Sequence, residues 1–557
     1  MMNKLFFSIW LLLFLAAGCT SRENTRFIRK NPEEKISLPE TVNLSNGVLD
    51  LAFAPSSMGR LTSLKYGGRE LLQRFERKAL TGNPLFAPNT CNIYGFRELL
   101  WRTSTPVLDL PVKAFEKREN KIVFDIPSYG NTPLSLRRQV RLHPEAAVID
   151  FESEFTNTAA KPYTYQLWLN LLPVSPYYPQ VPLIGGLKQE FKLGNNFHPH
   201  GENWTAAYVP SAQSVIAVNW KRWEILPDGE FYVHGATTFN TFEAIMGKRT
   251  LKKGEKCRHS FKILLFPHLS RLNALWDETG IAVHQEGKNF KLRFSAASPV
   301  PQRSGVIGFA GNFKKFTLPA MKTGEIFEMR LPEEPEVLLP EKGRRVLFFS
   351  SLPPKNKRLT IVAFGDSITE GQTGVKPEAN WLLKLGKKLG KNIRLYNAGV
   401  GGNSAREAMA RYERDVLARK PDIVLLEFGG NNHDPAPQRK YRRVPDQEFR
   451  ELLKKFQKGL PAHCKVVVIT FPPVINEKHV YFKRVPGGKV DEELQSQRQI
   501  VRDFARKNGY PLLDLYQLIY PRRYELVLPD GIHLSPAGQA FFAEEVEKIL
   551  RKEKYIK

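Results

Sequence analysis

The segment from about residue 358 to residue 557 alternates short apolar runs with helical stretches, and this pattern constrains the fold more than any other feature. The runs LTIVAF (359–364) and KVVVITF (465–471) are almost continuously apolar, whereas DQEFRELLKKFQKGL (446–460) has the spacing of an amphipathic helix. Strands that are apolar on both sides are buried on both faces, as in parallel sheets covered by helices. The pattern therefore predicts an α/β domain with a parallel sheet over residues 358–557.

A different pattern fills residues 38–269. Stretches such as KIVFDI (121–126), AAVIDFESEFTN (146–157) and YTYQLWLNLLPV (163–174) alternate apolar with polar residues and are separated by Gly, Asn and Pro. Alternation with a period of two and many β-branched and aromatic residues is typical of antiparallel strands. We therefore expect a large all-β domain here.

Residues 270–352 contain further strand-like runs, among them FKLRFSA (290–296) and EIFEMRL (325–331). They predict a small β region, which is either a separate sandwich or the close of the first β domain. The polar, proline-containing stretch SLPPKNKR (351–358) follows, and such a composition is typical of a linker.

The first residues resemble an export signal. Lys4 precedes an apolar run from Leu5 to Ala17, which is too short to span a bilayer. The sequence LAAGC resembles a bacterial lipobox, and this implies a signal peptide over residues 1–19, acylation of Cys19 and a tether over residues 20–37. We expect lipid anchoring to the cell envelope, at the outer membrane because no Asp follows the cysteine. Plain cleavage after Gly18, with a secreted or periplasmic product, is the alternative.

The chain is basic, with 83 Lys and Arg against 56 Asp and Glu, for a formal net charge of +27. A basic surface attracts acidic polymers such as uronate-bearing or sulfated glycans. The charge is spread along the chain, however, and the sequence favours a solvated basic surface.

Export places the remaining cysteines in an oxidising compartment. Cys91 and Cys257 both lie in the first β domain and could pair, although sequence cannot decide pairing. Cys464 opens an apolar run and is interpreted as a buried strand thiol.

Four polar segments follow the predicted strands of the α/β region or precede its last helix: FGDSITEG (364–371), NAGVGGNS (397–404), FGGNN (428–432) and DGIHLS (530–535). In open α/β sheets, sites form at the carboxyl ends of strands, so these segments are expected to meet.

Together they contain the groups that acyl transfer requires. The Ser367 hydroxyl needs a base, which His533 supplies, while Asp530 can fix the histidine tautomer. The N–H groups of Ser367 and Gly402 and the side-chain amide of Asn431 can bind a developing oxyanion. Each segment alone could be an ordinary turn or helix cap. Their order and their placement at strand ends together favour catalysis.

These four segments, in this order, resemble those of the SGNH hydrolases, also called GDSL esterases. The resemblance covers about residues 358–557 and implies a three-layer, flavodoxin-like α/β fold and a serine esterase. It also implies the triad Ser367, Asp530 and His533 and the oxyanion donors named above. The third segment departs from the family pattern, because Asn432 stands where Asp is usual. We expect this change to alter loop geometry and to leave catalysis intact.

The first β domain resembles the galactose mutarotase-like supersandwich, in GGREL (67–71) and in the strand–turn–strand stretch over residues 151–170. The resemblance implies a concave sheet face that receives sugars. Candidate acid–base residues for an epimerase lie in two further stretches: His198, His200, Glu202 and His234. Binding without catalysis, or a purely structural use, is the favoured interpretation.

The expected function is that of an exported carbohydrate O-acetyl esterase with a polysaccharide or glycan ester as substrate. A lipase or thioesterase acting on acyl lipids is one alternative, and a carbohydrate-binding protein is another. Polar residues near the site favour short acyl groups: Glu370, Gln372, His433 and the basic stretch 438–443. No metal-ligand spacing and no phosphate loop is present, so we expect no cofactor, no metal and no nucleic-acid partner.

Overall fold

The computed structural model describes residues 40–556, except residues 74–94, 101–111, 128–131, 175, 184–185, 190–193, 200–201, 221–229, 236–239, 310–311, 350–357, 391, 433–443 and 480–488. The predicted signal peptide with Cys19, the tether, Cys91, His200, His433 and the basic stretch 438–443 lie outside the described residues. In the part of the chain that is described, no helix is both long enough and apolar enough to cross a membrane.

Residues 42–267 form a large antiparallel β-sandwich, hereafter the large sandwich. Its strands in chain order are β1 (Val42–Ser45), β2 (Leu49–Ala54), β3 (Arg60–Tyr66), β4 (Arg69–Glu70), β5 (Gly95–Leu100), β6 (Ala114–Arg118), β7 (Lys121–Ile126), β8 (Leu134–Leu142), β9 (Val148–Asn157), β10 (Tyr163–Tyr165), β11 (Leu167–Leu172), β12 (Tyr178–Leu183), β13 (Gly186–Lys188), β14 (Gly194–Pro199), β15 (Trp204–Val209), β16 (Ser214–Trp220), β17 (Glu230–Gly235), β18 (Asn240–Ile245), β19 (Arg249–Leu251) and β20 (Lys256–Pro267).

Most of these strands form two sheets, with β10 and β19 paired separately. One sheet has the order β1-β2-β3-β5-β11-β18-β17-β14, with β4 beside β3, and the other has the order β13-β12-β15-β16-β20-β9-β8-β7-β6. The ring of Phe96, in the first sheet, lies 5.2 Å from Phe151 and 5.5 Å from Phe261, which belong to the second sheet. On β9 the apolar side chains alternate with Asp150 and Glu152, which are only partly buried. The predicted sheet-rich N-terminal region is therefore confirmed.

Residues 274–347 form a small sandwich with a core of its own. Its strands are β21 (Ala274–Trp276), β22 (Thr279–Glu286), β23 (Asn289–Ala296), β24 (Arg303–Phe309), β25 (Asn312–Leu318), β26 (Ile326–Leu331), β27 (Val337–Pro340) and β28 (Val346–Leu347). They form the sheets β21-β22-β23-β26 and β25-β24-β27-β28. A second buried cluster packs this region against the large sandwich, with Leu264 and Phe266 beside Ala282 and Ala297.

Residues 359–552 form the α/β region. Its strands are β29 (Leu359–Gly365), β30 (Ile393–Gly399), β31 (Ile423–Glu427), β32 (Lys465–Ile469) and β33 (Leu512–Leu513). Its helices are α1 (Ser367–Glu370), α2 (Trp381–Leu389), α3 (Ala405–Ala410), α4 (Tyr412–Asp415), α5 (Asp446–Gly459), α6 (Val490–Glu493), α7 (Gln495–Asn508), α8 (Leu515–Ile519), α9 (Arg523–Leu526) and α10 (Pro536–Lys552).

The five strands are parallel in the order β30-β29-β31-β32-β33, which is that of flavodoxin-like sheets. Side chains of β29 alternate between two cores. Ile361 and Ala363 pack with α2 and α10, whereas Val362 and Phe364 pack with α3, α5 and α7. The predicted parallel sheet with helices on both faces is confirmed.

Two local predictions in this region are corrected. The stretch SAREAMARYERDVLAR (404–419), which the sequence predicts to be one helix, is broken at Arg411, whose guanidinium group donates to the carbonyl oxygens of Gly365 and Ala398 at the ends of two strands. Cys464 lies directly before β32 and is only half-buried, because its side chain packs at the rim of the core. Cys257 and Cys464 both carry free thiols.

Candidate active site

The first polar segment forms a tight turn between β29 and α1. The Asp366 side chain caps α1 by accepting a hydrogen bond from the backbone N–H of Ile368 at 2.9 Å. A side chain cannot be added at Gly365, since its Cβ would lie 1.8 Å from Thr369 Oγ1. This turn places Ser367 at the start of α1, at the carboxyl edge of the sheet.

The structure brings Ser367, His533 and Asp530 into one hydrogen-bonded chain. Ser367 Oγ lies 3.0 Å from His533 Nε2, and His533 Nδ1 lies 2.7 Å from Asp530 Oδ2. With Nδ1–H donating to the carboxylate, Nε2 is free to accept the serine proton. Such an arrangement allows the imidazole to act as a general base towards the hydroxyl.

The Asp530 carboxylate is fixed by its own loop. Its Oδ1 accepts the backbone N–H groups of Ile532 and His533 at 2.9 and 3.0 Å, which leaves Oδ2 for the imidazole. Partial burial raises the pKa of this carboxyl, but the hydrogen bonds from His533 and from the two N–H groups outweigh burial and lower the pKa to about 2. Gly531 permits this turn, because it has a φ of +77° and a Cβ there would lie 2.7 Å from Ile475 O.

The predicted oxyanion donors lie around Ser367. The loop after β30 passes beside the serine, since a Cβ on Gly401 would lie 3.7 Å from Ser367 Cβ. Gly402 adopts a φ of +75°. Among the described residues, no acceptor is hydrogen-bonded to the N–H of Ser367 or of Gly402. Asn431 Nδ2 donates to Asp366 Oδ2 at 3.0 Å, which orients the amide.

A buried pair of carboxyls, Asp366 and Glu427, lies behind the serine. The sequence did not predict a role for Glu427. Asp366 and Glu427 are each 1% exposed and interact electrostatically, and Thr369 Oγ1 donates to Glu427 Oε2 at 2.9 Å. Burial raises the pKa of Asp366 to about 6 and raises that of Glu427 well above its ordinary value. Interacting buried carboxyls titrate as one coupled pair, and this pair keeps a proton to higher pH than an exposed carboxyl does. The available signal was a single acidic residue inside the apolar strand IVLLEF.

Arg411 ties the strand ends of the site together, a role that sequence reasoning also missed. Its guanidinium donates to Gly365 O at 2.8 Å, to Ala398 O at 2.6 Å and to Asn403 Oδ1 at 2.7 Å. Asp415 Oδ2 accepts from the same group at 3.0 Å and balances its charge. The loop that carries Gly402 is thus held at both of its ends.

Asn432 stands where the family pattern has Asp, and both atoms of its side-chain amide form hydrogen bonds. Its Oδ1 accepts the N–H of Ala405 at the start of α3 at 2.9 Å, and its Nδ2 donates to Gln497 Oε1 on α7 at 2.8 Å. A carboxylate could make the first contact but not the second. The residue is buried and connects the segment after β31 to helices α3 and α7.

The predicted epimerase residues are not assembled into a site by the described contacts. His198 and His234 lie on the neighbouring strands β14 and β17, and their side chains lie outside the described part of the structure. Glu202 accepts the N–H of the adjacent Asn203 at 3.1 Å. Within the described ranges, no group of His, Cys, Asp and Glu has the arrangement of a metal site.

Comparison with known proteins identifies the α/β region. Residues 363–541 match the GDSL-like Lipase/Acylhydrolase family. The chain is 30% identical over 213 residues to "Uncharacterized lipoprotein YqeF" of Bacillus subtilis, which covers 34% of this chain and 87% of that protein. It is 26% identical over 196 residues to the isoamyl acetate-hydrolyzing esterase 1 homolog of Mus musculus, covering 32% of this chain and 77% of the relative.

A more distant relative is the acetylxylan esterase of Xylanibacter ruminicola, which is 23% identical over 237 residues, covering 37% of this chain and 46% of that protein. All three alignments are confined to about a third of the chain. The chain therefore belongs to the GDSL-like lipase/acylhydrolase family through its α/β region, and it is a serine ester hydrolase.

Proposed function

We propose that Ser367, His533 and Asp530 form the catalytic triad of an esterase that removes acetyl or other short acyl groups from a polysaccharide. The observation that carries the proposal is the continuous chain from Ser367 Oγ through the imidazole to Asp530, with distances of 3.0 and 2.7 Å. This chain has the geometry of a serine nucleophile with a base and an orienting acid.

Acylation begins when Ser367 Oγ attacks the ester carbonyl carbon while its proton moves to His533 Nε2. The carbonyl oxygen becomes an oxyanion, which accepts hydrogen bonds from the N–H groups of Ser367 and Gly402 and from Asn431 Nδ2. The ester C–O bond then breaks, and the imidazolium returns its proton to the departing sugar oxygen. Asp530, ionised because its pKa is about 2, stabilises the imidazolium throughout.

Deacylation repeats these steps with water. His533 Nε2 takes a proton from a water molecule, whose oxygen attacks the acyl carbon on Ser367. The bond to Oγ breaks, the serine regains its proton from the imidazolium and a carboxylic acid leaves. No other co-reactant is required.

The orientation of Asn431 supports its role as a donor. An amide nitrogen carries two hydrogens, and one of them is directed to Asp366 Oδ2 at 3.0 Å. A carboxylate oxygen of Asp366 accepts this bond, so the amide nitrogen, and not the amide oxygen, is directed towards Asp366. The second hydrogen remains for the substrate.

Exposed aromatic residues beside the catalytic loop support a polysaccharide substrate. Tyr520 and Tyr524 are 43% and 55% exposed, and the Arg523 guanidinium lies 4.4 and 4.7 Å from their ring centres. Lys478 connects this surface to the site, because a Cβ on Gly531 would lie 3.0 Å from Lys478 Cβ. Exposed tyrosines are typical of binding surfaces, and their faces suit the C–H faces of sugar rings. The acetylxylan esterase relative supports the same substrate class.

The N-terminal parts of the chain fit this substrate. We propose that the large sandwich is mutarotase-like and binds glycan, which would keep the esterase on its polymer. We also propose that the chain is exported and held at the envelope through Cys19. A relative named as a lipoprotein supports the anchor.

The test is hydrolysis by the full chain of acetylated xylan and of p-nitrophenyl esters of increasing acyl length, with Ser367→Ala as the matched control. We expect acetate release from the polymer and a preference for acetyl over longer esters. Preference for long acyl chains with no acetate release would instead establish a lipase or thioesterase and contradict the substrate assignment.

A further inference from the structure

Arg345 belongs to the small sandwich by sequence but contacts the active site of the α/β region. It lies between β27 and β28, and its side chain is 4% exposed. Nη1 donates to Gly399 O at 2.7 Å and to Asn397 Oδ1 at 3.2 Å, both at the end of β30. Nη1 also lies 3.9 Å from Glu370 Oε1, and the backbone N–H of Arg345 donates to Gln372 Oε1 at 3.1 Å.

These contacts converge on the loop that carries the proposed oxyanion donor Gly402. Glu370, which pairs with Arg345 through one oxygen, accepts the N–H of Gly401 at 2.9 Å through the other. The arginine thus holds the loop twice, directly at the Gly399 carbonyl and through Glu370 at the Gly401 amide. Gly402 is the next residue along the chain.

The position of a donor determines how much it stabilises an oxyanion. An oxyanion donor acts when it already lies about 3 Å from the place where charge develops, and a misplacement of 1 Å can lower the rate about 100-fold. Glycines provide little steric restraint of their own, so this loop depends on outside contacts. Burying a guanidinium is unfavourable unless it is hydrogen-bonded and paired, and the two hydrogen bonds from Nη1 and the nearby Glu370 carboxylate offset part of that cost here.

We infer that Arg345 is a positioning residue for ester hydrolysis, supplied to the active site by the small sandwich. This inference rests on the proposed function for its catalytic consequence, but its structural part does not. Arg345 fixes the segment 399–402, and through it the N–H of Gly402, in the orientation that receives the oxyanion.

A second contact between the same two regions provides a matched control. Lys315 on β25 pairs with Glu378 at 2.6 Å, but Lys315 is 64% exposed and, among the described residues, this ion pair does not include the loop 399–402. A variant of Lys315 therefore weakens the junction between the regions without acting on the oxyanion donors.

The experiment compares Arg345→Met and Lys315→Met in the full chain, with p-nitrophenyl acetate as substrate. For Arg345→Met we expect kcat to fall about 10-fold to 100-fold while KM changes less than about twofold, because the lost interaction acts in the transition state. For Lys315→Met, kcat should stay within about twofold of the parent. Hydrogen–deuterium exchange of the peptide that contains residues 397–404 should accelerate in the first variant alone.

Unchanged exchange of this peptide in Arg345→Met would overturn the positioning role, and faster exchange with unchanged kcat would overturn its catalytic consequence. If the parent protein hydrolyses no ester, the proposed function fails, whereas the exchange measurement still decides whether Arg345 fixes the loop. Should Arg345→Met not fold, Arg345→Lys replaces it with the same two readouts, since a shorter side chain keeps the charge and loses the reach to Gly399 O.

Discussion

Two sets of carboxyls flank the Ser367–His533 pair, and their surroundings differ sharply. Asp530 lies in a loop, with its side chain 40% exposed and three hydrogen bonds from N–H groups. Asp366 and Glu427 lie behind the serine, and both are 1% exposed. Hydrogen-bond donors and solvent, and not residue type, therefore decide which carboxyl is readily ionised. Only Asp530 is ionised across the whole ordinary pH range, as stabilisation of an imidazolium requires.

The two environments link stability to pH in opposite directions. The pKa of Asp530 is lowered from 3.8 to about 2, so the stability that Asp530 contributes is complete above pH 3.8 and is lost as pH falls towards 2. The pKa of Asp366 is raised from 3.8 to about 6, so the folded state binds more protons than the unfolded state between these values. Stability from the buried pair is therefore lost as pH rises through that window.

Replacing Ser367, which lies between the two sets of carboxyls, should have the largest effect on kcat. Ser367→Ala removes the attacking oxygen and should lower kcat about 10⁴-fold or more, with the thermal unfolding midpoint within a few degrees of the parent. Steady-state hydrolysis of p-nitrophenyl acetate and thermal unfolding measure the two quantities. Hydrolysis within tenfold of the parent rate would show that another residue is the nucleophile.

Replacing the exposed carboxyl, Asp530, should have the next largest effect on kcat. In Asp530→Asn, the amide cannot hold Nδ1–H and stabilise an imidazolium as the carboxylate does, so kcat should fall about 10²-fold to 10⁴-fold. The stability of the variant should also fall less than that of the parent as pH is lowered from about 4 to 2, since the share contributed by Asp530 is absent. Rates on p-nitrophenyl acetate and unfolding midpoints in acid test both parts, and a kcat near that of the parent would assign the orienting role elsewhere.

Replacing Glu427, a member of the buried pair, should have the smallest effect on kcat. Glu427→Gln keeps a hydrogen-bond donor towards Asp366, so kcat should stay within about threefold at pH 7. The variant lacks the raised carboxyl that loses its proton as pH rises, and its stability should therefore fall less than the parent's between pH 5 and 8. Denaturant unfolding at several pH values measures this slope. An equal change of unfolding free energy with pH in the two proteins would mean that the Glu427 carboxyl does not titrate in this range.

The sequence predicted the parallel sheet and the convergence of the four polar segments, because apolar strands and the residues that follow them are contiguous in the chain. It did not predict Glu427, since an acidic residue within a strand gives no sign of the partner that shares its proton. Strand β33 has two residues, which is too short for a periodic pattern. Arg345 and Arg411 were missed for a common reason: each acts on carbonyl oxygens, and backbone acceptors leave no trace in the sequence.

The position of Arg345 has a consequence for the independence of the α/β region. A C-terminal fragment that begins after the stretch 350–357 would retain all four polar segments and the whole parallel sheet, yet it would leave behind the arginine that contacts Gly399. The catalytic residues and the arginine that supports them are therefore encoded on opposite sides of residues 350–357. Recombination that exchanged only the α/β region between relatives would have to restore this contact from the new neighbour.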